Sequence, residues 1–104
     1  MSKQTDAQVL LGIHLRELGF TVEPEHRFLP ERKFAFDWAD LENYIGYECD
    51  GGQWNGGHMR GLKLEDQYEK DRLAQLSGWR CFRFTNRQIL NGEAKAWLSE
   101  HLSR

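Results

Sequence analysis

Two acidic residues on neighbouring alternating segments are the best placed in this chain to do chemistry. In FAFDWA (Phe34–Ala39), Phe34, Phe36 and Trp38 fall on one side of an extended chain, and Ala35, Asp37 and Ala39 on the other. In YIGYECD (Tyr44–Asp50), Ile45, Tyr47 and Cys49 share a face, and Gly46, Glu48 and Asp50 share the opposite one. A hairpin centred near residue 42 puts Asp37 across from Glu48, to within one residue. Directly opposed side chains then have Cβ atoms about 4.5–5.5 Å apart. Opposed like charges destabilise a sheet unless something compensates, and a divalent cation is the natural compensator. The alternative is that both acids point to solvent from an open sheet face. Ala35, Ala39 and Gly46 on that face speak against it. Small residues make a concave floor, where a solvated face would more often carry Thr, Lys or Arg.

The distribution of charge points the same way, although its sum does not. Net charge is −2 and the pI is about 6.1, without the basic excess usual in nucleic-acid binders. Acids crowd one stretch, at Asp37, Asp40, Glu42, Glu48 and Asp50, and bases dominate later, at Arg60, Lys63, Lys70, Arg72, Arg80, Arg83 and Arg87. A phosphodiesterase that uses a metal needs an acidic cluster set among bases, because the ion reverses the sign of the patch where phosphate docks. A solvated mixed-charge surface is the competing reading. With 104 residues, 39% hydrophobic and 12% aromatic, the chain has room for one domain, residues 1–104, and one core. No apolar run reaches the roughly 18 residues of a membrane span, and MSKQTDAQ lacks a secretory stretch. Cys49 and Cys81 have no metal-type spacing and read as reduced thiols of a cytoplasmic protein.

The elements that must position the acids follow from periodicity. Residues 4–18 predict a helix with Leu11, Leu15 and Leu18 on one face, Gln8 extending that face and Gly19 ending it. Phe20–Phe28 reads as an extended segment, bent or placed at a sheet edge by Pro24. The two acidic strands follow, joined by a turn at 40–43. GGQWNGGHMRG (residues 51–61), with five glycines, reads as a loop. Leu64–Ser77 reads as a second helix, with Lys70 along the edge of its Leu73/Ala74 stripe. Trp79–Phe84 is a fourth strand, followed by a short turn capped by Thr85 or Asn86. Residues 93–103 form a last helix with Ala94, Trp97 and Leu98 inward. The order is an α/β layer arrangement around one mixed sheet.

The stretches ERKFAFDWAD, YECDGGQWNGGHMRG and YEKDRLAQLSGWRCFRFT, in this order and spacing, resemble a compact bacterial and phage branch of the PD-(D/E)xK nuclease superfamily. Relatives in that branch include very short patch repair endonucleases and resolvase-like phage nucleases, and the resemblance covers residues 25–89. It implies a restriction-endonuclease-like αβββαβ core, a four-stranded mixed sheet flanked by helices, with an added C-terminal helix. It also implies a Mg²⁺-dependent DNA endonuclease in which Mn²⁺ substitutes. Asp37 stands at the family's first metal-binding acid and Glu48 at the acid of (D/E)xK, with the Cys49 carbonyl as a further ligand. Glu25 matches an acid that many members carry on the first strand. The motif lysine would fall at position 50, where this chain has Asp50. Gln53 or Lys70 could take its place, and His58 is a further candidate as an acid or phosphate contact.

Such chemistry suits these residue types. Mg²⁺ takes hard oxygen ligands from one or two carboxylates and keeps several waters, and a nearby ammonium steadies the nucleophile and phosphoryl oxygens. Bland readings stand beside each assignment. Lys70 could pair with Asp66 along the helix, Asp50 could bond loop amides, and His58 could be a plain loop residue. Trp54 stacks on a base or covers the core edge, while Trp38, Trp79 and Trp97 read as core. Arg60 and Arg83 are candidate DNA contacts, and Arg80, Arg83 and Arg87 phosphate contacts or solvent-facing positions. Two other functions compete. One is a DNA-binding module with the nuclease fold and no activity, motivated by the absent lysine. The other is an HNH-type nuclease, suggested by Asn55 and His58, which leaves the ordered acidic strands unexplained. One active site in so small a chain nicks one strand as a monomer, or makes paired cuts as a homodimer.

Overall fold

The structure, a computed structural model, describes residues 4–51 and 60–102, with the backbone alone for residues 60–63. Helix α1 (Asp6–Glu17) precedes strands β1 (Glu23–His26), β2 (Phe36–Asp40) and β3 (Ile45–Asp50). Helix α2 (Arg60–Leu76), strand β4 (Arg80–Thr85) and helices α3 (Asn86–Leu90) and α4 (Glu93–His101) follow. The strands form one mixed sheet in the order β1-β2-β3-β4, antiparallel at its first two junctions and parallel between β3 and β4. Parallel neighbours need a crossover, and α2 supplies it. The expected core is therefore present, with one more helix than the sequence reading anticipated. No described helix is long and apolar enough to cross a membrane.

Both helix starts beside the sheet are built by the same local device. Thr5 accepts the Gln8 amide and Gln8 returns its side-chain oxygen to the Thr5 amide, a reciprocal cap. Thr85 and Gln88 repeat the arrangement at α3. Thr85 is thus the cap, and what it starts is a helix rather than a turn, because Ile89 one turn on is wholly buried. Helix α2 begins at Arg60, four residues before the expected start at Leu64.

The sheet is covered on both faces. Leu11, Leu15, Trp38, Tyr47, Ile89 and Leu98 belong to the core under α1, α3 and α4. Phe28, Phe36, Ala39, Ala74 and Trp79 form a second core on the α2 side. Here the expected alternation of β2 fails, because Phe36 and Trp38 lie in different cores. Phe36 stacks on Phe28 with centroids 4.5 Å apart and lies over Gly46, where a Cβ would come 2.4 Å from its ring. Gly46 and Ala39 are thus the seat of an aromatic ring and not a concave floor. The reason is that the β2–β3 register runs from Asp40↔Ile45 to Trp38↔Tyr47 and stops, so Phe36 and Asp37 are no longer held to the pleat on that side. Trp97 also departs from its expected place. It is 38% exposed and stacks on His101, while Ala94 and Leu98, one turn apart, make the buried contact of the nine-residue α4.

Trp38 lies against α1 at Gly12, where a Cβ would sit 2.3 Å from the indole, and its Nε1–H donates to the Gln8 carbonyl at 2.8 Å. Gly12→Ala is therefore expected to destabilise the fold by about 1–3 kcal/mol through overpacking. It should do so even though alanine is intrinsically the better helix residue by about 1 kcal/mol. Urea unfolding checks this, and a variant as stable as the parent would mean that the indole has room to move.

Candidate active site

Continuing the β2–β3 register by one step puts Asp37 opposite Glu48, as the hairpin argument expects. At that step side chains take over from the backbone ladder. The Asp37 amide donates to Glu48 Oε2 at 2.9 Å, and the Cys49 amide donates to Asp37 Oδ2 at 2.7 Å. Each carboxylate thus fastens the other strand, and the two converge in the notch where the strands part. The turn that sets this register is held by Asp40, which is buried and accepts the Asn43 backbone amide at 3.1 Å and its side-chain amide at 2.9 Å.

Two helices supply the remaining partners. Gln8 of α1 donates through Nε2 to Asp37 Oδ1 at 3.1 Å, and its Oε1 is already occupied by the Thr5 amide, which fixes the orientation of the side chain. Lys70 of α2 places Nζ 2.6 Å from Glu48 Oε1 and 2.5 Å from the Ala35 carbonyl. The ammonium therefore belongs to the notch and not to Asp66. All four carboxylate oxygens of the pair accept one hydrogen bond each, and each keeps a lone pair for another partner.

In sequence, no family model and no curated protein matches this chain. In three dimensions it is similar to the catalytic domain of the homing endonuclease I-Bth0305I, with a TM-score of 0.66 over 93% of each chain and 12% identity. The chain has an endonuclease-like fold. At that identity the likeness concerns the fold, and the site has to be judged from its own geometry.

Burial pushes both acids up from the usual carboxylate range. For Asp37 burial is the largest cause and Asp50 adds to it, against the Cys49 amide, Lys70 and Gln8. For Glu48 burial again leads and Asp37 adds to it, against Lys70 and the Asp37 amide. A group whose folded pKa is raised contributes stability below its unfolded pKa, and that contribution is lost as pH rises through the folded value. In a chelator, the pair should therefore stabilise the fold near pH 4 and lose that contribution towards neutrality. Comparing urea unfolding of the parent with Asp37→Asn across that range isolates the effect. Parallel curves would exclude it.

The other expected residues divide. The Cys49 backbone lies in the notch beside Asp37, whereas its thiol donates to Asn86 Oδ1 at 2.7 Å. Burial, then the charges of Asp37, Asp50 and Glu48, push that thiol up to about 11, and burial pushes Cys81 up to about 12. Both thiols are thus neutral at ordinary pH. Glu25 falls opposite Asp37 in the β1–β2 register, between Pro24↔Trp38 and His26↔Phe36, with a left-handed φ of 50°. Backbone strain of this kind gathers at functional sites. Gln53, Trp54 and His58 lie outside the described residues, as does the side chain of Arg60.

Arg83, expected as a DNA contact, is drawn inward. Its guanidinium lies 3.0 Å from Asp50, 2.7 Å from Asp71 and 3.5 Å from Glu48. Burial alone would lower its pKa, and Asp50, Asp71 and Glu48 together raise it instead. Asp50 is accordingly paired with Arg83, and the loop amides expected as its partners lie outside the described residues. Sequence reasoning passed over Asp71 altogether. The signal available was the alternation of β4, which puts Arg83 opposite Phe82 and Phe84, on the α2 side.

The donor set fits a hard divalent cation. Among the described residues no group of three or more His, Cys, Asp or Glu side chains gathers around one point. Asp37 and Glu48 offer two carboxylates beside the Cys49 backbone, and one or two carboxylates with waters completing the shell are a common donor set for Mg²⁺.

Proposed function

We propose that this chain is a Mg²⁺-dependent endodeoxyribonuclease of the PD-(D/E)xK kind, with Mn²⁺ as a substitute ion. The observation that carries the reading is the notch itself: a half-buried and a buried carboxylate from adjacent strands, with an ammonium 2.6 Å from the buried one. In this reading Asp37, Glu48 and the Cys49 carbonyl hold the ion, and Glu25, exposed on the neighbouring strand, does not join them. The ion, when bound, would polarise a phosphoryl oxygen and lower the pKa of a bound water. Lys70 takes the role of the lysine missing at position 50, entering from α2 instead of from β3. Its ammonium orients the attacking water and offsets charge on the phosphoryl oxygens. Gln8 holds Asp37 by one oxygen, so that the other oxygen's direction is set before an ion arrives.

DNA as the substrate is supported by the endonuclease-like fold and by the suitability of the site for phosphodiesters. Branched, nicked or mismatched duplexes are the substrates to try, in keeping with repair, recombination or phage DNA processing. The test is cleavage of supercoiled, nicked and branched DNA with Mg²⁺, with Mn²⁺ and with chelator. Intact DNA under all three conditions would sink the reading. Strand-resolved products together with sedimentation would distinguish a nicking monomer from a homodimer making paired cuts.

A second reading has an observation of its own. Lys70 and Arg83 already offset charge in the notch, as they would in a DNA-binding module that has the fold without the activity. Metal separates the two. A nuclease with millimolar free Mg²⁺ well above its Kd should gain about 1–3 kcal/mol of stability, and an inactive module should gain none.

A further inference from the structure

Arg83 has no role in the reaction just proposed, and yet it is the most heavily paired cation among the described residues. It comes from β4, the strand that lies parallel to β3, with Arg83 at the register position of Glu48. One arm, Nη1, reaches Asp50 at 3.0 Å and Glu48 at 3.5 Å, both on β3. The other arm, Nη2, reaches Asp71 at 2.7 Å, on α2. Asp71 is the residue next to Lys70. A forked, planar guanidinium held at both ends fixes direction as well as distance. The position where the motif would carry its lysine is thus occupied by one end of a bridge that runs Asp50–Arg83–Asp71 and stops beside the lysine actually present.

We propose that Asp50, Arg83 and Asp71 form an ionic clamp that sets the position of Lys70 over Glu48, which makes Arg83 and Asp71 positioning residues for the cleavage reaction. The inference rests on the nuclease reading for its effect on turnover, though not for its effect on Lys70. Helix α2 meets this part of the sheet through Lys70 and Asp71. Lys70 has four carbons and many rotamers between its backbone and its charge. Its two hydrogen bonds to Glu48 and Ala35 fix the ammonium only if the helix turn beneath it is fixed. The Asp71–Arg83 pair supplies that anchor one residue away. The clamp also accounts for Asp50. An acid at that position would add a like charge to the notch if left loose, and Arg83 both turns it aside and balances it.

The test uses Asp71→Asn and Asp50→Asn in the full chain. Asp71 is the more exposed end, at 38%, so its variant should fold. The ammonium of Lys70 is followed directly by proton–nitrogen NMR of ¹⁵N-lysine-labelled protein, assigned by loss of the signal in Lys70→Arg. Expected is a Lys70 signal that is sharp in the parent and broadened or shifted in Asp71→Asn. Turnover should fall about ten- to a hundredfold, as for a misplaced catalytic group, with Mn²⁺ affinity unchanged within about twofold. Asp71→Glu should recover part of both losses. A Lys70 signal unaffected by Asp71→Asn would overturn the clamp, whether or not the protein cuts DNA. So would an altered signal with full turnover, or turnover and Mn²⁺ affinity falling together. If the parent itself does not cut, the nuclease reading fails and the NMR comparison still decides whether the clamp holds the lysine. Should Asp71→Asn prove unfolded, Asp50→Asn is read by the same signal and the same criteria.

Discussion

Asp37→Asn should reduce cleavage by about 10³-fold while the metal-free protein stays within about 1 kcal/mol of the parent. Two opposed effects produce this outcome. Burial and the neighbouring Asp50 disfavour the ionised form of Asp37, so replacing it with a neutral group of the same shape removes a destabilising charge. The asparagine oxygen can still accept the Cys49 amide, which now donates at 2.7 Å. The asparagine NH₂ would face Gln8 Nε2, at the cost of one hydrogen bond. Gln8 cannot simply turn over, because its oxygen is held by Thr5 at 2.7 Å. What the variant loses completely is an anionic ligand for a hard cation. Melting curves with chelator and with Mg²⁺, taken beside strand cleavage, check both halves. A large loss of stability in chelator would mean that the charge of Asp37 is structural, and retained cleavage would mean that it is not a ligand.

Lys70→Met should have the largest effect on stability, about 3–5 kcal/mol in chelator, the usual result of removing one partner of a buried ion pair. The Glu48 side chain is only 8% exposed and has Lys70 at 2.6 Å, so the variant leaves a buried carboxylate with Arg83 at 3.5 Å as its nearest cation. The Ala35 carbonyl loses its donor as well. Adding Glu48→Gln should restore part of the stability, because a neutral amide no longer needs the cation, and the double-mutant cycle measures how much. Mg²⁺ should also restore part of it if the ion enters the notch. Cleavage by Lys70→Met should fall about 10²–10³-fold even under conditions where the variant is folded. A loss below about 1 kcal/mol, or additive single effects, would show that the pair is too well solvated to matter.

The parts of this site that are local in sequence were legible, and the parts that depend on packing between distant segments were not. The alternation of Phe34–Ala39 and Tyr44–Asp50, with the midpoint of the turn, is enough to put Asp37 against Glu48, because the side-chain period of a strand is two and a hairpin register is a simple sum. The same reading put Phe36 on the wrong side. Period two assumes an unbroken ladder, and the ladder between β2 and β3 stops at Trp38. The Leu73/Ala74 stripe placed Lys70 at the edge of the core, and the structure shows what that edge faces. No spacing rule could connect Lys70 with Glu48, or Arg83 with Asp71, since those pairs exist only once α2 has crossed the sheet. Gln8 shows both cases in one residue. Its place on the inner face of α1 and its cap on Thr5 are periodic and local, whereas its bond to Asp37 belongs to the tertiary fold.

A metal-dependent nuclease requires a hard cation to bind where β2 and β3 part. Crystals soaked in Mn²⁺ and measured at the manganese absorption edge test it most directly. Expected is an anomalous peak ligated by the Asp37 and Glu48 carboxylates, absent from Asp37→Asn crystals soaked in the same way. No peak in the parent, or a peak held by other residues, would contradict it and leave Lys70 and Glu48 as an ordinary buried ion pair.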